Sequence, residues 1–163
     1  MNFFKATVSA LVLFGVSVGA FAQSCPTPVG TVTGAGNPSF SGNTCTNNTT
    51  LTKICGNSDT LGGTSLDVIQ WTTGATFTNP ITLSLQSAAF TPELATITGT
   101  CTANAACIDD ESANAPGTIT NSVAVTANTT YFIFVTDVAD GNCGAYSLSV
   151  AATPVKLQNF SVN

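Results

Sequence analysis

The sequence predicts an all-β chain, an antiparallel, jelly-roll-like β-sandwich of about eight strands, stapled by disulfides. Three observations carry that expectation. Residues 123–152 hold two runs of period-two alternation. Tyr131, Ile133 and Val135 alternate with Phe132, Phe134 and Thr136, then Tyr146, Leu148 and Val150 alternate with Ser147 and Ser149. Bounded by Asp140-Gly141-Asn142, they read as paired strands on a core. Threonine and valine are abundant, and no helix-period pattern survives beyond the first 22 residues. Six cysteines in an exported chain imply three bridges.

Taken in order, the chain opens with Lys5, an apolar run over 6–18 and the small-x-small site Ala20-Phe21-Ala22. Residues 1–22 therefore read as a secretory signal peptide, with Gln23 as the mature start. The residues before Cys25 do not form a lipoprotein signal, and no later stretch is long and apolar enough to span a bilayer. Residues 23–48 form a segment rich in Pro, Gly, Asn and Thr, with one short strand over 29–33. The sandwich is expected over 49–152, with strands at 50–55, 66–72, 81–86, 94–98 and 119–125. Ile81, Leu83 and Leu85 point inward there, and turns fall at Gly56 to Asp59 and Asn79-Pro80. Residues 153–163 stand apart as a strand or tail.

Charge excludes several classes of function. Only 7% of residues are charged, whereas 44% are hydrophobic, so folding is expected. Once Lys5 leaves with the signal, Lys53 and Lys156 face eight carboxylates, a formal net charge of −6. With no arginine, nucleic acid and anionic membrane surfaces are poor partners.

The order of several segments carries a resemblance. Leu66-Asp67-Val68-Ile69, ITLSLQSAAFTPELATITGTC, ACIDDESA, TANTTYFIFVTD and GAYSLSV resemble the bacterial pre-peptidase C-terminal (PPC) domain over roughly residues 45–152. Gln70-Trp71 replaces the family's usual aromatic-small-Phe, and Ala127-Asn128 replaces Ala-Gly before the long strand. No peptidase domain accompanies the segment. The resemblance implies a jelly-roll-like sandwich that serves as an accessory, binding or surface module outside the cell, not a catalyst.

The residues give few candidates for chemistry. Without histidine, and with the cysteines expected to be oxidised, Ser-His and Cys-His catalysis is excluded. Zinc is disfavoured because no CxxC occurs. Eight scattered acids and no readable aromatic cleft argue against a glycosidase. Calcium is the cofactor the acids suit: Asp109, Asp110 and Glu111 are dense, and Asp137 and Asp140 lie in the next acidic loop, helped by Asn142. The competing reading is a solvated acidic turn. Trp71, Tyr131 and Tyr146 read as core, not as a sugar platform. Thr96, Thr98 and Thr100 read as solvent-facing strand positions, not an ice-binding ladder.

Closeness in sequence pairs Cys101 with Cys107 first and Cys45 with Cys55 second, leaving Cys25 with Cys143. The function expected is a secreted, non-catalytic binding module for a glycan or protein partner. The alternative is a fibre subunit that donates residues 154–163 to a neighbour's sheet edge.

Overall fold

A computed structural model describes residues 25–34, 37–47, 51, 53–55, 59–60, 65–75, 79–102, 105–138 and 141–152. The expected signal peptide and C-terminal strand or tail lie outside the described residues. Eleven strands are described: β1 (Gly30–Gly34), β2 (Ser39–Asn43), β3 (Lys53–Ile54), β4 (Asp59–Thr60), β5 (Asp67–Thr73), β6 (Ile81–Ser87), β7 (Pro92–Thr98), β8 (Cys107–Ser112), β9 (Gly117–Val123), β10 (Thr130–Asp137) and β11 (Ala145–Ala152). A five-stranded sheet runs β1-β5-β10-β7-β8 and faces a four-stranded sheet, β2-β11-β6-β9, while β3 and β4 pair separately. Every pairing is antiparallel except β1 with β5. The β-sandwich expected from the sequence is therefore the fold observed.

The core between the sheets follows the predicted alternation. Ile69, Trp71, Leu94, Tyr131, Ile133 and Val135 from one sheet meet Ile81, Leu83, Leu85, Ile119, Val123, Tyr146, Leu148 and Val150 from the other. Trp71 and Tyr131 are cross-strand partners, their ring centroids 5.8 Å apart. All three aromatic residues assigned to the core are buried.

The five-stranded sheet is covered on its other face as well. There Val68, Ala95, Ile97 and Phe134 pack under Leu51, Ile54 and Leu66 from the N-terminal part of the chain. This second layer explains why Phe134 is fully buried although it lies out of phase with Ile133. A sheet buried on both faces loses the inside-outside alternation. The segment before residue 49 takes part in both sheets through its described strands, since β1 and β2 each supply an edge.

The strands of residues 123–152 do not form the expected hairpin. β10 lies between β5 and β7, whereas β11 lies between β2 and β6 in the opposite sheet. The connection crosses the sandwich, so the two strands meet face to face through side chains and not edge to edge. Alternation reports which side of a strand is buried and says nothing of its hydrogen-bonded neighbour. The acidic run at Asp109 is likewise a strand, the edge strand β8, where the sequence suggests a loop. β2 is a second strand in a segment expected to hold only one, and β4 begins at Asp59, the last residue of an expected turn.

The cysteine pairing also differs from the expectation. Cys25 joins Cys101, Cys45 joins Cys143 and Cys55 joins Cys107, across separations of 76, 98 and 52 residues. The pairs Cys101–Cys107, Cys45–Cys55 and Cys25–Cys143 are therefore corrected. Loop-closure entropy makes a bridge of 76 residues costlier than one of six by only about 2 kcal/mol, so strand placement decides. Cys101 and Cys107 sit beside the covering layer and reach into it. Three such bridges belong to an oxidising compartment.

One departure from the PPC pattern has a local explanation. Asn128 adopts φ 51°, in the left-handed region where the family carries glycine. Asparagine tolerates that region better than other side chains. The turn is pinned from both sides. The Thr126 amide donates to the Tyr131 hydroxyl at 2.7 Å, and the Thr129 amide donates to Thr73 Oγ1 at 2.9 Å. Asn128→Gly should leave the urea midpoint nearly unchanged, while Asn128→Val should cost about 1–2 kcal/mol. Removing the Cys45–Cys143 bridge by paired serine substitution should cost about 2–5 kcal/mol in the same assay, with the longest loop released.

Candidate functional site

Strand parity sorts the predicted acids into separate places. β8 pairs with β7 so that Asp109 lies opposite Thr96, Asp110 opposite Ala95 and Glu111 opposite Leu94. Leu94 belongs to the inter-sheet core and Ala95 to the covered outer face. Asp109 and Glu111 thus share the inner side of an edge strand, and Asp110 lies on the opposite side. Asn121, in phase with Ile119 and Val123 on β9, donates its Nδ2 hydrogen to Asp109 Oδ2 across the gap between the sheets. The seam between β8 and β9 is closed by this polar bridge. Partial burial is the main force raising the Asp109 carboxyl above its ordinary range; the Asn121 hydrogen bond opposes it and repulsion from Glu111 adds to it.

Asp137 is not in that cluster. It lies four residues along β10 from Ile133, whose partner is Thr96, which places it about 13 Å along and about 10 Å across from Asp109. Its carboxylate is buried and occupied: Oδ1 accepts the Thr91 amide at 3.0 Å, and Oδ2 the Asn142 amide at 3.3 Å. Asp137 therefore fastens the loops at that end of the sandwich. Asp140 lies outside the described residues. Among the described residues no three His, Cys, Asp or Glu side chains converge as a metal cluster.

Another acid, Asp67, opens β5 and is 1% exposed. Asn47 Nδ2 donates to its Oδ1 at 2.6 Å, joining the short 3-10 turn Thr44–Thr46 to the first sheet. The Tyr146 hydroxyl faces the same carboxylate without closing a hydrogen bond of good geometry. Burial, followed by the proximity of Asp67, drives the Tyr146 phenol pKa upward. The ring lies against Gly42, where a Cβ would run into it. Glycine is required there by close approach, not by backbone angle.

The outer face of the four-stranded sheet has a different character. Its registers align Ser41, Ser147, Gln86 and Thr118 in one row across the strands. They align Ser39, Ser149, Ser84 and Thr120 in the next, and Ala151, Thr82 and Ser122 in a third. Each of these positions is exposed or half-buried. Rows repeat at about 6.7 Å along the strands, and strands at about 4.8 Å. Among the described residues no charged and no bulky apolar side chain occupies this face. By contrast Thr96, read from the sequence as solvent-facing, is buried inside the sandwich.

Sequence reasoning singled out Asp109 and Glu111, placed Thr96 in solvent, and gave Asn121 and Asp67 no role in a site. The available signal was phase. Each is a polar residue in step with apolar neighbours on its strand, and such a residue needs a partner indoors.

No protein-family model matches the chain, and neither does any curated protein. Solved structures do. A pre-peptidase C-terminal domain is among them. That domain, of collagenase from Bacillus anthracis, shares 16% identity at a TM-score of 0.45, with 78% of this chain and 99% of that one covered. CorA, a surface-associated copper-binding protein of Methylomicrobium album BG8, shares 11% at 0.48, with coverages of 77% and 98%. PliG of Aeromonas hydrophila, a periplasmic inhibitor of g-type lysozyme, shares 16% at 0.40, with coverages of 75% and 97%. Among the described residues no helix is long and apolar enough to cross a membrane.

Asp137→Ala should lower stability by about 2–3 kcal/mol, because two backbone amides lose their acceptor. Asp137→Asn, which keeps one carbonyl oxygen, should cost less in the same denaturation series.

Proposed function

We propose that this protein is an exported, non-catalytic binding module that works outside the cytoplasm through the outer face of its four-stranded sheet. The observation that carries the reading is the hydroxyl grid just described. A broad surface of Ser, Thr and Gln, free of charge in a chain of net charge −5, suits a neutral, hydroxyl-rich partner. A glycan is such a partner, able to exchange hydrogen bonds directly and through water. The disulfides support export, since bridges of this kind persist in oxidising surroundings. Calcium belongs to the reading as a stabiliser of the acidic strand β8.

The test is binding of the purified protein to a panel of insoluble neutral polysaccharides. Binding to at least one is expected, and Ser84→Lys combined with Thr120→Lys should weaken it about tenfold or more at an unchanged melting temperature. Release of soluble sugar from any of them would overturn the non-catalytic assignment. Failure of the charged variant to weaken binding would move the partner to another face.

A second reading, a fibre subunit assembling through residues 154–163, is supported by β9. This seven-residue edge strand carries no charge and no proline to guard it, unlike β8. Light scattering separates the two readings: a monomer supports the module, whereas fibres that vanish when 154–163 are deleted support the subunit.

A further inference from the structure

We propose that the seam between β8 and β9 binds a calcium ion, held by the carboxylates of Asp109 and Glu111 and by the hydroxyl of Thr96. The inference deepens the calcium part of the functional reading and is independent of the partner on the four-stranded sheet.

Thr96 is the decisive residue. It is 2% exposed, and its Oγ1 has no hydrogen-bond partner. Native structures rarely leave a buried hydroxyl in that condition, because nothing replaces the water it gave up. Its cross-strand neighbour on the same face is Asp109, and directly opposed side chains lie about 5 Å apart at Cβ. Glu111 follows on the same side of β8, one step along. Three oxygen-bearing side chains therefore gather at the edge of the core, two of them carboxylates that repel one another. Asn121 donates one hydrogen to Asp109 Oδ2 and the Asp110 amide bonds the same carboxylate, whose oxygens have about four lone-pair sites between them and so keep acceptor capacity for an ion.

The donor set selects the ion. It is all oxygen, irregular, and open to solvent on the Glu111 side, so waters can complete a shell of six to eight ligands as calcium requires. Soft metals are disfavoured, because every cysteine is bridged and histidine is absent. Magnesium demands a stricter octahedron than two side chains of an edge strand and one of its neighbour provide. The Cys55–Cys107 bridge, two residues before Asp109, anchors the start of β8. Asp137 contributes nothing here, since both of its oxygens already hold backbone amides.

The experiment is calorimetric titration of chelator-stripped protein with calcium chloride, alongside thermal melting in calcium and in chelator. Wild type should bind calcium and melt higher in its presence. Asp109→Asn and Glu111→Gln should each weaken binding about tenfold or more. Thr96→Val, which keeps the shape and removes the unpartnered hydroxyl, should melt no lower than wild type in chelator yet bind calcium more weakly. Asp110→Asn, on the other side of the same strand, should behave as wild type. An equal calcium response in all four variants would place the ion elsewhere and overturn the site while sparing the calcium reading. No response in wild type would overturn both, leaving the polysaccharide result to stand or fall separately.

Discussion

The structure depends on the burial of one sheet from both sides. β10 sits at its centre, with Tyr131, Ile133 and Val135 turned toward the second sheet and Phe134 turned toward the N-terminal cover. Each Leu, Ile or Phe side chain fully buried this way contributes roughly 1.5–3 kcal/mol, so losing either cover would remove much of what holds the chain together. A second sheet alone would leave Val68, Ala95, Ile97 and Phe134 facing water. Leu51, Ile54 and Leu66 make the difference, and Ile54 belongs to the small β3–β4 pair. Two of the three bridges, Cys25–Cys101 and Cys55–Cys107, tie that cover to the sheet beneath it.

The same constraint sorts what the sequence could say from what it could not. β6 was legible to within one residue, because Ile81, Leu83 and Leu85 face a core while Gln86 faces water. β5, β7, β10 and β11 were legible as strands for similar reasons. Pairing was not. The alternation of Tyr146, Leu148 and Val150 is satisfied equally beside β10 or across from it, and the loop at Gly141 allows both. β8 was hidden by its own composition, since an edge strand bearing Asp109, Asp110 and Glu111 looks like a solvated turn. Those charges are what keep such an edge from pairing with another chain.

The candidate sites were half legible. Asp109 and Glu111 stood out by density, but their separation from Asp137 depends on registers that no local pattern encodes. Thr96 looked solvent-facing because threonine suits either side of a pleat; only the position of Leu94 beside it, once the sheets are assembled, sends it inward. The hydroxyl grid was invisible along the chain, since no single strand holds a regular ladder. It forms when β2, β11, β6 and β9, drawn from residues 39 to 152, are laid side by side.

The bridge pattern dictates the order in which the molecule can be completed. Emerging from its N-terminus, the chain presents Cys25, Cys45 and Cys55 well before any correct mate, because the first of those mates is Cys101. Until then the only sulfur bonds available are wrong ones, and Cys45 must wait for Cys143. Maturation therefore has to finish after nearly the whole polypeptide has been delivered, in a place where mistaken links can be exchanged for native ones.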